Sequence, residues 1–367
     1  MAELNETPSA SRTRIGVFGR RNAGKSTLVN ALARQPVSIV SDVPGTTTDP
    51  VSKAMEIAPL GPCVLTDTAG LDDEGDLGAQ RVAKTRAELE KTDIAIWVHA
   101  PEDDSADFAE FSLLCAARSL PLLEYRRSES ADSLLNRLAA LHLAEAPRPV
   151  IADLVAAGDC VILVCPQDGS APKGRLILPQ QQVIRELLDA HAAAFVCQPA
   201  EYAALLARLG RPQLVVTDSQ VFAEVAAATP DDVKLTSFSI LFARAKGDLD
   251  AFLEGVAALK KLKDGDRVLI AEGCTHHRQC GDIGTVKLPQ AIMKLTGVQL
   301  DFAWCSGNGF PEDISRYALV IHCGGCMLTR RMMLSRIARC RASGVPIANY
   351  GLVFAACKGL PLASLKF

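Results

Sequence analysis

Two short clusters, Cys274-Thr-His276 and His322-Cys323-Gly-Gly-Cys326, offer three thiols and two imidazoles. Ligands of this softness suit zinc or an iron-sulfur cluster better than magnesium or calcium. A closed zinc site takes four Cys and His ligands, commonly from two compact hooks. Here only Cys323 and Cys326 form a CxxC pair, and a His stands beside each thiol hook. Three thiolates on a four-iron cluster leave one iron to a His or to an exchangeable ligand. Spacing alone leaves both metals open. Cys274, Cys323 and Cys326 are the expected ligands; His276 and His322 are candidates, either as the fourth ligand or as hydrogen-bond donors around the thiolates.

A second constellation lies near the start of the chain. Arg14–Phe18 (RIGVF) reads as a buried strand, followed by Gly19-Arg-Arg-Asn22-Ala23-Gly24-Lys25-Ser26-Thr27 and the helical text LVNALA. This is a phosphate-binding loop in its required strand-loop-helix context. Its glycines turn backbone N–H groups toward phosphates, and the helix that follows adds its positive end. Lys25 is expected to neutralise the β and γ phosphates, and Ser26 to hold Mg2+. Further on, Val64-Leu-Thr-Asp67-Thr-Ala-Gly70 is a strand ending in DTAG, with Asp67 near Mg2+ and the Gly70 amide near the γ-phosphate.

The elements that must carry these groups alternate. Each thiol hook follows a strand, Arg267–Glu272 for the first and 317–321 for the second. In an open α/β sheet, ligands collect beyond the carboxyl ends of such strands, so hooks distant in sequence can converge there. Between the two constellations the text reads as strand 160–165, helix 180–191, strand 194–197, helix 201–209, strand 213–217, helix 219–228 and strand 237–243, which implies a largely parallel sheet. A helix over 250–262 opens the metal-binding part. Helix 288–296, strand 300–305, helix 331–343 and strand 345–349 complete it. Pro147-Arg-Pro149 marks a linker.

The hooks, CTH followed at long range by HCGGC, resemble the cluster motif of HydF, the maturation GTPase of iron-only (FeFe) hydrogenases. APKGRLILPQQQVIRELLD from Ala171, LVVTDSQVF from Leu214, LTSFSILFARAKGDL from Leu235 and VPIANYG from Val345 are similar to that family as well. The polar, Ser-rich N-terminus 1–12 reads as flexible, and the resemblance implies an α/β chain of three domains after it: a shortened P-loop GTPase domain 13–146, a dimerisation domain 150–247 and an iron-sulfur cluster-binding domain 248–367. It also implies a GTP-binding scaffold and carrier with Mg2+ and a 4Fe-4S cluster. Such a chain assembles the two-iron precursor and delivers it to the FeFe hydrogenase apoprotein, with the two radical-SAM maturases as further partners and a homodimer as its form. By the same resemblance, Pro44-Gly-Thr-Thr47-Thr-Asp-Pro is switch I text with Thr47 as the Mg2+ threonine, and Asn22 implies K+ activation. Cys280, six residues after Cys274, has no role in the family motif.

One section departs from that pattern. A GTPase reaches a strand ending in NKxD, whose Asp selects guanine; here the strand at 120–125 leads into Arg126-Arg-Ser-Glu129-Ser130 and then straight into helical text. Glu129 and Asp132 are the acids in reach of a base edge, and Asp132 reads equally as the acid of a helix N-terminus. Leu71 stands where Ras-type enzymes keep a water-orienting Gln, so intrinsic hydrolysis is expected to be slow. The competing reading of the whole chain is a zinc-binding regulatory or adaptor protein with a degenerate nucleotide domain.

Composition narrows the class. With 367 residues, 49% hydrophobic and 22% charged, the chain can bury more than one core. A net charge of −3 argues against a dominant nucleic-acid surface. No apolar run reaches the length that spans a bilayer and no signal-like segment opens the chain, so the expected compartment is the cytoplasm. The twelve cysteines lack the spacing of a small disulfide scaffold, and those outside the hooks read mostly as buried fillers.

Overall fold

The computed structural model describes residues 12–33, 51–57, 60–68, 88–101, 104–141, 148–167, 176–273, 283–307, 309–311 and 313–359. The chain divides into two units, Met1–Ala146 and Pro147–Phe367.

In the first unit, β1 (Thr13–Phe18) ends in four buried residues. It runs straight into α1 (Lys25–Ala33) through the Gly-rich loop. A hairpin of β2 (Val51–Ile57) and β3 (Gly61–Asp67) follows, then β4 (Ile94–Val98), α2 (Ser105–Ala116), β5 (Leu122–Tyr125) and α3 (Ala131–Ala140). The sheet order is β2-β3-β1-β4-β5. Only the β2–β3 pairing is antiparallel. Alternation along β1 sorts its side chains: Ile15 and Val17 meet Leu28, Leu32, Leu134 and Leu138 on one face. Phe18 meets Trp97, Phe111 and Cys115 on the other. Val17 pairs with Asp67, which delivers the Asp67 carboxylate to the carboxyl end of β1.

In the second unit, β6 (Cys160–Val164), α4 (Leu178–Asp189), β7 (Ala193–Cys197), α5 (Pro199–Leu209), β8 (Leu214–Thr217), α6 (Phe222–Ala228), β9 (Lys234–Ser237) and α7 (Phe238–Lys246) alternate. The sheet, β7-β6-β8-β9, is wholly parallel. After α8 (Leu249–Ala258) come β10 (Arg267–Glu272), α9 (Leu288–Thr296), β11 (Asp301–Ser306), β12 (Leu319–His322), α10 (Arg330–Ala342), β13 (Ile347–Asn349) and α11 (Tyr350–Cys357). They build a second parallel sheet, β11-β10-β12-β13. Ala271 of β10 pairs with His322 of β12, so both strands end at one edge of the sheet.

One expected strand, 237–243, is a helix. Ser237 closes β9 and its side chain accepts a hydrogen bond from the Ile240 N–H, starting α7 as an N-cap. Phe238, Leu241, Phe242 and Ala245 pack into the core of the first parallel sheet. Ile240 and Ala243 pack into the core of the second. A helix buried all round loses the polar stripe that marks helical period, and its apolar run reads as a strand.

Candidate functional site: a phosphate loop and a thiol hook

The phosphate loop is held open by backbone conformation. Gly19 and Gly24 have φ of +145° and +100°, and Asn22 adopts +59°, a left-handed value Asn tolerates better than most residues. A Cβ on Gly19 would stand 2.5 Å from the Val98 carbonyl oxygen, so only glycine fits against β4. Lys25 is buried, and its Nζ donates to the Gly19 and Arg20 carbonyls at 3.0 and 2.7 Å. Ser26 Oγ donates to Asp67 Oδ2 at 2.6 Å. A hydroxyl and a carboxylate side by side are the hard oxygen donors that Mg2+ takes, and the ammonium beside them suits phosphate. The donor set therefore fits a magnesium-bound nucleoside triphosphate. Ala23 is buried behind the loop and Thr27 is exposed on α1. Thr47, Gly70 and Leu71 lie outside the described residues.

The segment after β5 holds a residue that sequence reading passed over. Arg127 Nε donates to the Ala23 carbonyl at 3.0 Å and Nη2 donates to the Asn22 carbonyl, fastening this segment to the phosphate loop. Glu129 is engaged elsewhere: Arg137 Nη2 donates to its two oxygens at 2.8 and 2.6 Å, and Ser133 Oγ donates at 2.8 Å. Asp132 sits in the first turn of α3, behind the Ser130 cap.

The second hook leaves β12 at Cys323, whose N–H donates to the Ala271 carbonyl at 2.9 Å. Its sulfur accepts two backbone N–H groups, from Gly273 at 3.0 Å and Gly325 at 3.4 Å. Gly273 directly precedes Cys274, so the foot of the first hook touches a thiol of the second. Gly325 sits at φ +64°, where a Cβ would also strike the Met333 methyl at 2.5 Å. Backbone N–H groups aimed at sulfur are what a ligating thiolate needs around it. A CxxC pair in such a nest fits a thiolate-bound metal or cluster. Cys274, His276, His277 and Cys280 lie outside the described residues, as do Lys173 and Arg175; among the described residues no three metal-ligating side chains converge.

His322 is fully buried, with both ring nitrogens occupied. Nδ1 donates to the Cys323 carbonyl at 2.8 Å and Nε2 accepts from Arg336 Nη1 at 2.7 Å. Burial first, then the Arg336 charge, pulls its pKa down to about 3. The ring is neutral, and its two hydrogen bonds fix it beside the hook. Arg336 in turn lies over the Phe310 ring, 4.9 Å from its centroid.

Lys246, from the end of α7, was also passed over. Its Nζ donates to the carbonyls of Gly325, Cys326 and Leu328 at 3.3, 3.0 and 2.8 Å. Burial lowers its pKa to about 8, with the Cys326 and Cys323 thiols acting in the opposite direction. Burial raises the Cys326 thiol, and the Lys246 charge opposes that rise. Away from the hook, burial holds the Cys165 and Cys340 thiols up at about 12, and those of Cys63, Cys197, Cys305 and Cys357 at about 11.

Comparison with known families bears directly on the hook-bearing unit. Residues 150–247 match the hydrogen maturase F dimerization domain, and residues 250–366 match the hydrogen maturase F tetramerization domain. One family thus accounts for more than half of the chain. The chain belongs to the HydF family of hydrogenase maturases. Both matched domains are oligomerisation domains by description, which marks this HydF chain as one that self-associates. Residues 14–120 match the 50S ribosome-binding GTPase family, which puts this part of HydF among the GTP-binding hydrolases, with GTP and Mg2+ as the implied ligands. That match ends before β5, so the segment bearing Arg127 falls outside it.

Curated relatives share the nucleotide-binding part. The tRNA modification GTPase MnmE of Methylobacterium sp. is 42% identical over 112 residues, 29% of this chain and 25% of its own length. GTPase Der of Wolinella succinogenes is 47% identical over 100 residues, 26% of this chain and 20% of its own. The HydF chain thus spans about a quarter or less of these relatives. Two solved Era structures are more distant. One, in complex with MgGDPNP and nucleotides 1506-1542 of 16S ribosomal RNA, has a TM-score of 0.26 at 15% identity over 61% of this chain and 92% of that one. The other, an Aquifex aeolicus Era variant bound to GDP.AlF4-, has a TM-score of 0.28 at 16% identity over 83% and 94%. No helix among the described residues is long and apolar enough to cross a membrane.

Proposed function

We propose that this HydF chain is a scaffold and carrier that holds a 4Fe-4S cluster on Cys274, Cys323 and Cys326 and delivers a two-iron precursor to an FeFe hydrogenase apoprotein. The observation that carries this reading is the Gly273 N–H on the Cys323 sulfur at 3.0 Å, which brings the feet of the two hooks together. When bound, a cluster on three thiolates supplies an iron with one exchangeable position. The chain's own residues do the holding. Gly273 and Gly325 donate to the Cys323 sulfur, and His322 fixes the hook through the Cys323 carbonyl. His276 is the remaining imidazole for the fourth position, and the two radical-SAM maturases are the proposed upstream partners of a homodimer in the cytoplasm.

The nucleotide unit binds GTP through Gly19, Asn22, Ala23, Gly24, Lys25, Ser26 and Thr27, with Ser26, Asp67 and Thr47 on Mg2+ and the Gly70 amide on the γ-phosphate. Lys25 gathers phosphate charge, and hydrolysis is slow because Leu71 stands where Ras-type enzymes keep a water-orienting Gln. Asn22 is the proposed contact for K+. Phosphate-sensitive loops order and release segments, so this unit biases docking of partners rather than performing iron chemistry.

Anaerobic purification followed by iron, acid-labile sulfide and zinc analysis tests the reading, with EPR on the reduced protein. A brown protein with iron and sulfide and a reduced-cluster signal supports it. A colourless protein with one zinc per chain overturns it in favour of a regulatory adaptor.

A further inference from the structure

The Lys246 ammonium is 8% exposed, yet among the described residues no carboxylate pairs with it. Its three hydrogen bonds all go to carbonyls of the segment that carries Cys323 and Cys326. Three donated bonds at one nitrogen need three hydrogens, which only the charged ammonium has. The Phe242 ring lies on another side, its centroid 5.4 Å from Nζ. A buried cation with no anion beside it is strongly unfavourable unless charge reaches it from elsewhere. Among the described residues, the groups that can set negative charge against it are the Cys326 and Cys323 thiols of the hook it grips.

The grip is part of a wider clamp. A Cβ on Gly324 would stand 3.6 Å from the Ser239 Cα and 3.8 Å from the Phe242 Cβ, so α7 lies directly against the hook. Arg330, at the start of α10 just beyond the hook, donates back to the carbonyls of Ala245 and Gly247 at 3.2 and 3.0 Å. The hook is thus folded onto a helix that belongs to residues 150–247, the span of the dimerization-domain match.

We propose that Lys246 is a positioning residue for the cluster site: its fixed positive charge holds the Cys323–Cys326 hook in ligating shape and offsets the negative charge that thiolates and cluster place there. This rests on the cluster reading above for its electronic half; the hold on the hook stands without it. An adjacent cation favours the state with one more electron, so Lys246 raises the reduction potential of a cluster bound here.

The test uses the full chain as wild type, Lys246→Arg, Lys246→Gln and Lys246→Met. Anaerobic reconstitution with iron and sulfide is followed by redox titration monitored by EPR. Lys246→Gln and Lys246→Met are expected to shift the midpoint potential to more negative values, with Lys246→Arg close to wild type. A Lys246→Gln protein with full iron content and the wild-type potential overturns the charge role. In parallel, the metal-free proteins are alkylated with iodoacetamide and modification of Cys323 and Cys326 is followed by mass spectrometry. With each rate followed across pH and referred to the thiolate form, a several-fold faster reaction in Lys246→Met, with Lys246→Arg near wild type, is expected from an opened hook; equal thiolate rates overturn the positioning role. Should wild type bind no iron, the cluster reading and the electronic half fail together, while the alkylation arm still decides whether Lys246 holds the hook. Lys246→Gln carries both arms if Lys246→Met does not fold.

Discussion

Arg336 Nη1 donates to His322 Nε2 at 2.7 Å, and both side chains are buried. His322 stands next to a ligand thiol, yet its ring is committed to Arg336 and to the Cys323 carbonyl. With both nitrogens taken, the ring braces the backbone of the hook. His322→Ala leaves the Arg336 guanidinium short of a buried acceptor, a loss of about 1–3 kcal/mol. Urea unfolding of the metal-free protein is expected to show that loss. Iron content per chain is expected to stay near wild type; its collapse with stability unchanged would make His322 a ligand after all.

Arg127 governs the nucleotide site through the loop rather than through the base. Because it binds the carbonyls of Asn22 and Ala23, Arg127→Ala is expected to weaken GTP, ATP and XTP by a similar factor, about tenfold, or ~1.4 kcal/mol. Glu129→Gln is expected to leave the ratio of GTP to ATP affinity unchanged, since Arg137 and Ser133 already take the Glu129 carboxylate. Competition against a fluorescent nucleotide measures both. A selective loss of GTP affinity in Glu129→Gln would assign base reading to Glu129.

Close backbone packing around the second sheet gives a prediction with no charge in it. A Cβ on Gly255 of α8 would stand 2.0 Å from the Ile347 carbonyl oxygen of β13, and both groups sit in regular structure. Gly255→Ala raises helix propensity, an effect of about 1 kcal/mol in its favour. Overpacking costs about 1–3 kcal/mol and wins here, because the neighbour is backbone that cannot swing aside. Thermal unfolding is expected to show a lowered midpoint; a raised one would mean that α8 can shift away from β13.

What could be read in the sequence and what could not divides along physical lines. Strand Arg267–Glu272 and helix Leu288–Thr296 fall where period and punctuation put them. The second hook stood out as a candidate site because thiols at CxxC spacing have few other uses. Helix α7 was misread because burial on every side erased its polar stripe, and Lys246 was hidden with it. A lysine at the end of an apolar run, one residue before Gly247, was the available signal: such a residue needs partners that neither its helix nor solvent supplies. Arg127 meets the phosphate loop across 104 residues and Arg336 meets His322 from another element, and no local pattern encodes contacts of that kind.

Asp153 links the start of the second unit to α7 and makes its stability depend on acid. Hydrogen bonds from Arg244, at 2.7 and 2.6 Å, are the largest influence on Asp153 and hold its carboxyl below the usual carboxylate range, against a smaller opposing effect of burial. Arg244 also reaches the carbonyls of Pro149 and Val150, so the pair pins the first turn of the unit. A carboxyl depressed in the folded state binds its proton more readily once unfolded. Its contribution is therefore complete above the unfolded value, about 3.9, and is lost as pH falls through the lower folded value. Asp153 is 44% exposed and Arg244 18%, so screening limits the contribution to about 1 kcal/mol or less. Asp153→Asn is expected to lower the urea midpoint slightly at pH 7 and to flatten its fall below about pH 4 relative to wild type. Parallel curves for the two proteins from pH 7 to pH 3 would show that the Arg244 pair adds nothing to folding.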